Sequence, residues 1–133
     1  MKYFSIEELT QNPLAQELGI DNTPSPEAVE NLTQLVDNVL DPVRALLGKR
    51  IIVNSGYRSP ELNRAVGGVA TSQHLRGEAA DITTASTLDN RRLCDLIRQR
   101  GNFDQLIVYG NYRFLHVSYT SRRRNRKEFL RKK

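Results

Sequence analysis

Between Val29 and Leu47, apolar residues recur at three- and four-residue intervals: Val29, Leu32, Val36, Val39, Leu40, Val43 and Leu47. That spacing lines one face of an α-helix and predicts the main amphipathic helix of the chain. Ser25 fits its N-cap, Pro26 its first turn, and Glu27 the positive end of its dipole. Gly48 marks its end. Pro42 predicts a kink or a restart, with Asp41 as the new cap.

The same reading places other elements along the chain. Ser5 and Glu8 fit a capping box that opens a short helix. Ile51 to Val53 reads as a buried strand, and "SPELNRAVGG" as a short helix or turn closed by Gly67-Gly68. A strand begins near Ala80 in "AADITT". Leu93, Leu96 and Ile97 mark a second clear helix, ending at Gly101. "FDQLIVYGNYRFLHVSYT" reads as two strands around a two-residue Gly110-Asn111 turn. The order predicts an α+β fold: a small, mainly antiparallel sheet with helices packed on it.

Composition narrows the class. A chain of 133 residues suits one domain with one core. No segment approaches the roughly 18 apolar residues a membrane span needs, and the first residues lack a signal-peptide h-region. The expectation is a soluble, monomeric protein without an export signal of its own. The single cysteine, Cys94, excludes an internal disulfide and a cysteine-based zinc site. Its helical setting suggests a buried structural thiol.

Charge is unevenly placed. Residues 122–133, "RRRNRKEFLRKK", hold eight basic residues and one acid, so their +7 within a total of +5 leaves the remainder at −2. This predicts a domain over residues 1–121 followed by a basic tail, 122–133. Such a tail suits an anionic wall polymer. The plainer reading is a solvated terminal helix. As a separable tail, it should be dispensable for turnover of a small soluble peptide. No motif for specific nucleic-acid recognition is present.

The chain has two histidines. His74 lies in "SQHLRGEAAD", seven residues before Asp81, and His116 lies on the last strand in "FLHVSY". A sheet that brings these segments together would converge two imidazoles and one carboxylate, with a fourth position open. That is the ligand pattern of catalytic zinc. Gly77 would let the backbone turn between ligands, and Ala79 and Ala80 would leave space beside Asp81. From spacing alone, the three residues could equally be hydrogen-bonded structure.

Ser72, His74, Gly77, Ala79 and Asp81 fit the pattern Ser-x-His-x-x-Gly-x-Ala-x-Asp. With "SGYRSPELNRAVGG" upstream and "FDQLI…LHVSY" downstream, the chain resembles the M15 family of zinc peptidases up to about Tyr119. That family comprises D-Ala-D-Ala carboxypeptidases and related peptidoglycan endopeptidases, and shares its fold with the Hedgehog signalling domain. The resemblance is nearest to the small M15A-type domains of phages and bacteria. It implies one zinc ion held by His74, Asp81 and His116, and a peptidoglycan peptide as substrate. It implies action on the cell wall by a protein of phage, prophage or bacterial origin. Arg58 matches an arginine facing substrate or transition state. Ser72 and Gln73 are expected beside it, contacting substrate or supporting the loop.

One feature departs from the family pattern. Many members carry a glutamate a few residues before the last histidine, to move protons. Here the aligned position is Tyr109, and Arg113 lies three before His116. Three replacements compete: Asp104, Glu78, and Tyr109 as a hydrogen-bond donor to the oxyanion. A two-residue turn would set Gln105 opposite His116 and send Asp104 to the other face of the sheet, which counts against it. The gap also leaves a second reading: an inert, zinc-bearing module that binds wall peptides.

Overall fold

A computed structural model describes residues 1–133. Two short helices, α1 (Ile6–Thr10) and α2 (Pro13–Leu18), precede a long helical run. In that run α3 (Pro26–Leu35) passes through a π-helical turn (Val36–Leu40) into α4 (Asp41–Leu47). Strand β1 (Ile52–Ser55), helix α5 (Pro60–Ala65), a 3₁₀ turn (Gln73–Arg76) and β2 (Ala79–Thr83) follow. Helix α6 (Thr87–Arg100) then leads to β3 (Gln105–Tyr109), β4 (Phe114–Ser118) and β5 (Glu128–Lys132). The fold is α+β. Its five-stranded sheet has the order β1-β2-β4-β3-β5, antiparallel except where β5 joins β3.

The sheet has two unlike faces. Ala80, Ile82, Leu106, Val108, Leu115 and Val117 point one way and are fully buried. They pack against Leu35, Val36, Val39 and Val43 of the long helix and Leu93, Cys94 and Ile97 of α6 in one core. Strand alternation sends Asp81, Ile107, Tyr109, Phe114 and His116 to the opposite face. The long helix and α6 therefore cover one face, and the other is left for chemistry.

Pro42 does not restart the helix. The π turn absorbs it: the Asp41 N–H bonds to the Val36 carbonyl. The Asn38 carbonyl, four residues before Pro42, accepts instead from the Asn102 side chain at 3.3 Å. Asp41 is not a cap. Its carboxylate accepts from the backbone of Lys2 (2.6 Å) and Tyr3 (3.0 Å), which ties down the N-terminal segment.

The hairpin loop also differs from expectation. Tyr109 pairs with Phe114, so the loop is Gly110–Arg113, and His116 faces Ile107 rather than Gln105. Asn90 of α6 donates to the Tyr112 carbonyl at 2.9 Å and holds that residue at a φ of 59°. At that positive φ, half-buried Tyr112, which packs on the core, cannot continue the strand. Two extra loop residues preserve the side-chain parity, and Asp104 is still not among the residues facing His116.

The largest difference lies in residues 122–133. They are neither a tail nor a helix. The chain leaves β4, crosses the start of β3, and pairs with it in parallel from Gln105–Glu128 to Tyr109–Lys132. Phe129 packs against the core beside Leu106, which is why an apolar pair interrupts the basic run. Asp104 anchors the crossover. Its buried carboxylate accepts from Arg123 (2.7 and 3.0 Å), from the Arg126 guanidinium, and from the Arg126 backbone (2.9 Å).

Candidate metal centre

The segment carrying His74 is shaped by its neighbours in sequence. Ser72 caps the 3₁₀ turn, its hydroxyl accepting from the His74 N–H at 3.2 Å. Gly77 ends the turn at a φ of 77°, where a Cβ would also collide with the Ala28 backbone. This explains the glycine between the two ligand candidates: the loop reverses against α3 with no space for a side chain. The His74 ring is buried, and its Nδ1 lies 2.7 Å from the Gly56 carbonyl oxygen. Since a carbonyl only accepts, Nδ1 carries the proton and Nε2 presents a lone pair.

Sheet pairing supplies the other two groups. Asp81 on β2 stands directly opposite His116 on β4. Asp81 Oδ1 lies 2.9 Å from His116 Nδ1 and 3.3 Å from His74 Nε2. One candidate ligand atom from each residue lies within 4.8 Å of the other two. Bonds of about 2.0–2.1 Å to a tetrahedral ion put its ligand atoms about 3.3 Å apart. Two nitrogens and one carboxylate oxygen at this spacing fit a zinc ion with one position left open.

Arg58 orients the carboxylate. Its Nη2 lies 3.3 Å from Asp81 Oδ2, on the side away from the histidines. Its Nε donates to Ser55 (3.1 Å) and its Nη1 to Asn63 (3.3 Å). Burial pushes the Asp81 pKa up, but the adjoining imidazoles, His116 foremost, outweigh it and hold the carboxyl well below its usual range. Burial lowers the His116 pKa, only partly opposed by Asp81, which favours the neutral imidazole that binds metal.

The three groups form part of the wall of an open cleft of about 730 Å³. Tyr109 also lines it, stacked on Phe114 with ring centroids 4.6 Å apart and planes 8° from parallel. Burial and the Asp81 charge raise the Tyr109 pKa, so its hydroxyl keeps its proton. Ser72 and Gln73 line the cleft too. Both have structural partners: Ser72 caps the turn, and Gln73 donates to Glu78 at 3.2 Å.

Two proposed proton carriers stand elsewhere. Asp104 is clamped by Arg123 and Arg126. Burial raises its pKa, but these hydrogen bonds outweigh burial and hold it ionised. Glu78 is buried and accepts from Thr120 (2.9 Å) and twice from Arg122 (2.9 and 2.8 Å). Asp81 is the only carboxylate lining the cleft. The sequence reading missed both arginine clamps. The signals were Phe129-Leu130 within the basic run, marking a strand, and Glu78 just before an apolar strand.

An α+β sheet with two histidines and an aspartate converging on its exposed face defines a candidate metallohydrolase. The family model for Peptidase M15 matches residues 2–118, and the chain belongs to that family. A search of curated proteins found no match. No helix is long and apolar enough to cross a membrane.

Proposed function

We propose that this protein is a zinc-dependent peptidase acting on peptidoglycan peptides, at stem or cross-bridge bonds beside D-amino acids. The observation that carries the reading is the convergence of His74, Asp81 and His116 in an open cleft of a Peptidase M15 chain. His74 would offer Nε2, Asp81 Oδ1 and His116 Nδ1 to one zinc ion. Such an ion polarises a carbonyl and makes water a stronger nucleophile at neutral pH.

The residues around it divide the remaining work. Gly56 fixes the His74 tautomer, and Arg58 holds Asp81 so that one oxygen faces the histidines. The protonated Tyr109 hydroxyl, on the cleft wall, is the donor for the carbonyl oxygen as negative charge develops there. Arg58 adds positive charge on the same side. Asp104 and Glu78 serve the fold. With no second carboxylate in the cleft, the proton released by the attacking water passes to solvent, and turnover is slow for the class.

That same absence favours a second reading, a zinc-bearing module that binds wall peptides without cutting them. Zinc-loaded protein incubated with purified peptidoglycan fragments, with products read by mass, separates the two. Release of D-alanine, or a cut within a stem or cross-bridge peptide, supports the enzyme and names its bond. Fragments retained but intact support the module.

A further inference from the structure

The cleft has a strongly one-sided charge. Its lining carries five cations, Arg58, Arg122, Arg123, Arg126 and Lys132, and one acid, Asp81. Behind it, Glu78 and Asp104 are the buried partners of the three crossover arginines. Five cations against three carboxylates leave +2. Glu128 lies on the same face outside that lining, its carboxylate accepting from Gln105 at 2.6 Å.

The cations beyond Arg58 come from the crossover and β5, outside the residues the family model matches. Lys132 is the informative one. Its register partner is Tyr109, so it stands on the sheet face that carries the metal triad. It is exposed and has no carboxylate partner. The arginines are each committed to a buried acid, but their side chains are 38 to 47% exposed toward the cleft side of the fold. Guanidinium and ammonium groups in that setting bind carboxylates through charge-assisted hydrogen bonds.

We propose that the crossover and β5 form a carboxylate subsite, with Lys132 as its specificity-determining cation, and that the cleft selects peptides bearing a free acidic group. This rests on the peptidase reading for its location beside the scissile bond. It adds a preference within peptidoglycan peptides: those whose γ-linked D-glutamate keeps a free α-carboxylate over those in which it is amidated.

The test uses two pentapeptides, L-Ala-γ-D-Glu-L-Lys-D-Ala-D-Ala and its α-amide twin. They share every other charge, so their ratio isolates one carboxylate. The zinc-loaded protein should favour the acid over the amide about tenfold in kcat/KM, the scale of a hydrogen bond to a charged group. Lys132→Gln should lower that ratio, Lys132→Glu should invert it, and Lys132→Arg should keep it. Equal rates for the twins, or a ratio unmoved by Lys132→Glu, would overturn the subsite while leaving the peptidase reading intact. If neither peptide is cut, cleavage of stem bonds is excluded and only the cross-bridge form of the peptidase reading remains. Binding of the fluorescein-labelled twins then decides the subsite by the same ratios.

Discussion

His116 Nδ1 and Asp81 Oδ1 lie 2.9 Å apart because their residues are direct partners on adjacent antiparallel strands. Backbone pairing on both strands fixes that separation. The candidate metal centre is therefore assembled by the sheet before any ion arrives, unlike small zinc modules that fold only with their metal.

Chelation should accordingly leave the protein folded. The far-UV circular dichroism of the metal-free protein should match that of the zinc-loaded form. Its Tm should fall by about 10 °C at free zinc roughly 1,000-fold above Kd, as expected for linked binding. Loss of the far-UV signal on chelation would contradict a preformed site.

The three ligand candidates should fail together. His74→Ala and His116→Ala each remove a nitrogen that no nearby residue replaces, and Asp81→Asn removes the charge shared by both histidines and Arg58. Stoichiometric zinc retained by both histidine variants after dialysis would refute the assignment. The zinc-induced rise in Tm should vanish with binding.

The crossover arginines should govern stability. Arg123→Gln combined with Arg126→Gln strips the buried Asp104 carboxylate of its guanidinium partners, at a cost of about 3 kcal/mol, the low end for a buried pair because both arginines are part-exposed. Cutting the chain after residue 121 should cost at least as much, and turnover of small peptides should be lost with the fold. Urea midpoints measure the first effect. A truncated chain that cleaves peptides normally would return residues 122–133 to the status of a dispensable tail.

Acid should reveal the same clamps. Asp104 and Glu78 both have pKa values depressed in the fold, where arginine hydrogen bonds outweigh burial. Their contribution is full above the ordinary carboxylate value of about 4, and is lost as pH falls through the lower folded values. The urea midpoint of the metal-free protein should fall modestly between pH 7 and 5, where unfolding lets His116 take up the proton its lowered pKa refuses in the fold, and drop further below about pH 4 as the clamps fail. In the double arginine variant the drop should shrink, because Asp104 then lacks the partners that depress its pKa.

Tyr109→Phe tests the proposed oxyanion donor. Loss of one such donor lowers kcat by about 10²–10³ in well-studied sites, with KM little changed. An unchanged kcat would remove the hydroxyl from the reaction.

Much of this architecture is legible from local pattern. The helix from Pro26, the β2 and β4 strands, and the glycine at position 77 all follow from spacing and backbone constraint. The convergence of His74, Asp81 and His116 needed the sheet order, which periodicity does not supply, though the motif around His74 pointed to it. Residues 122–133 were misread because charge density hid a strand. Five cations from residues 122 to 127 precede Glu128 to Lys132 and two more lie within it, and only Phe129 and Leu130 report its pairing with β3. Burial of Asp104 and Glu78 was equally hidden, since acids are ordinarily exposed and their arginine partners lie 19 to 44 residues away.

Cys94 lies buried on α6 within the core, its thiol pKa raised by burial. No other sulfur in the chain can pair with it, and its thiolate is disfavoured. Every contact that holds the sheet and the metal triad is therefore indifferent to the redox potential of the surroundings. The fold keeps the same stability in reducing and in oxidising surroundings and requires no oxidative maturation.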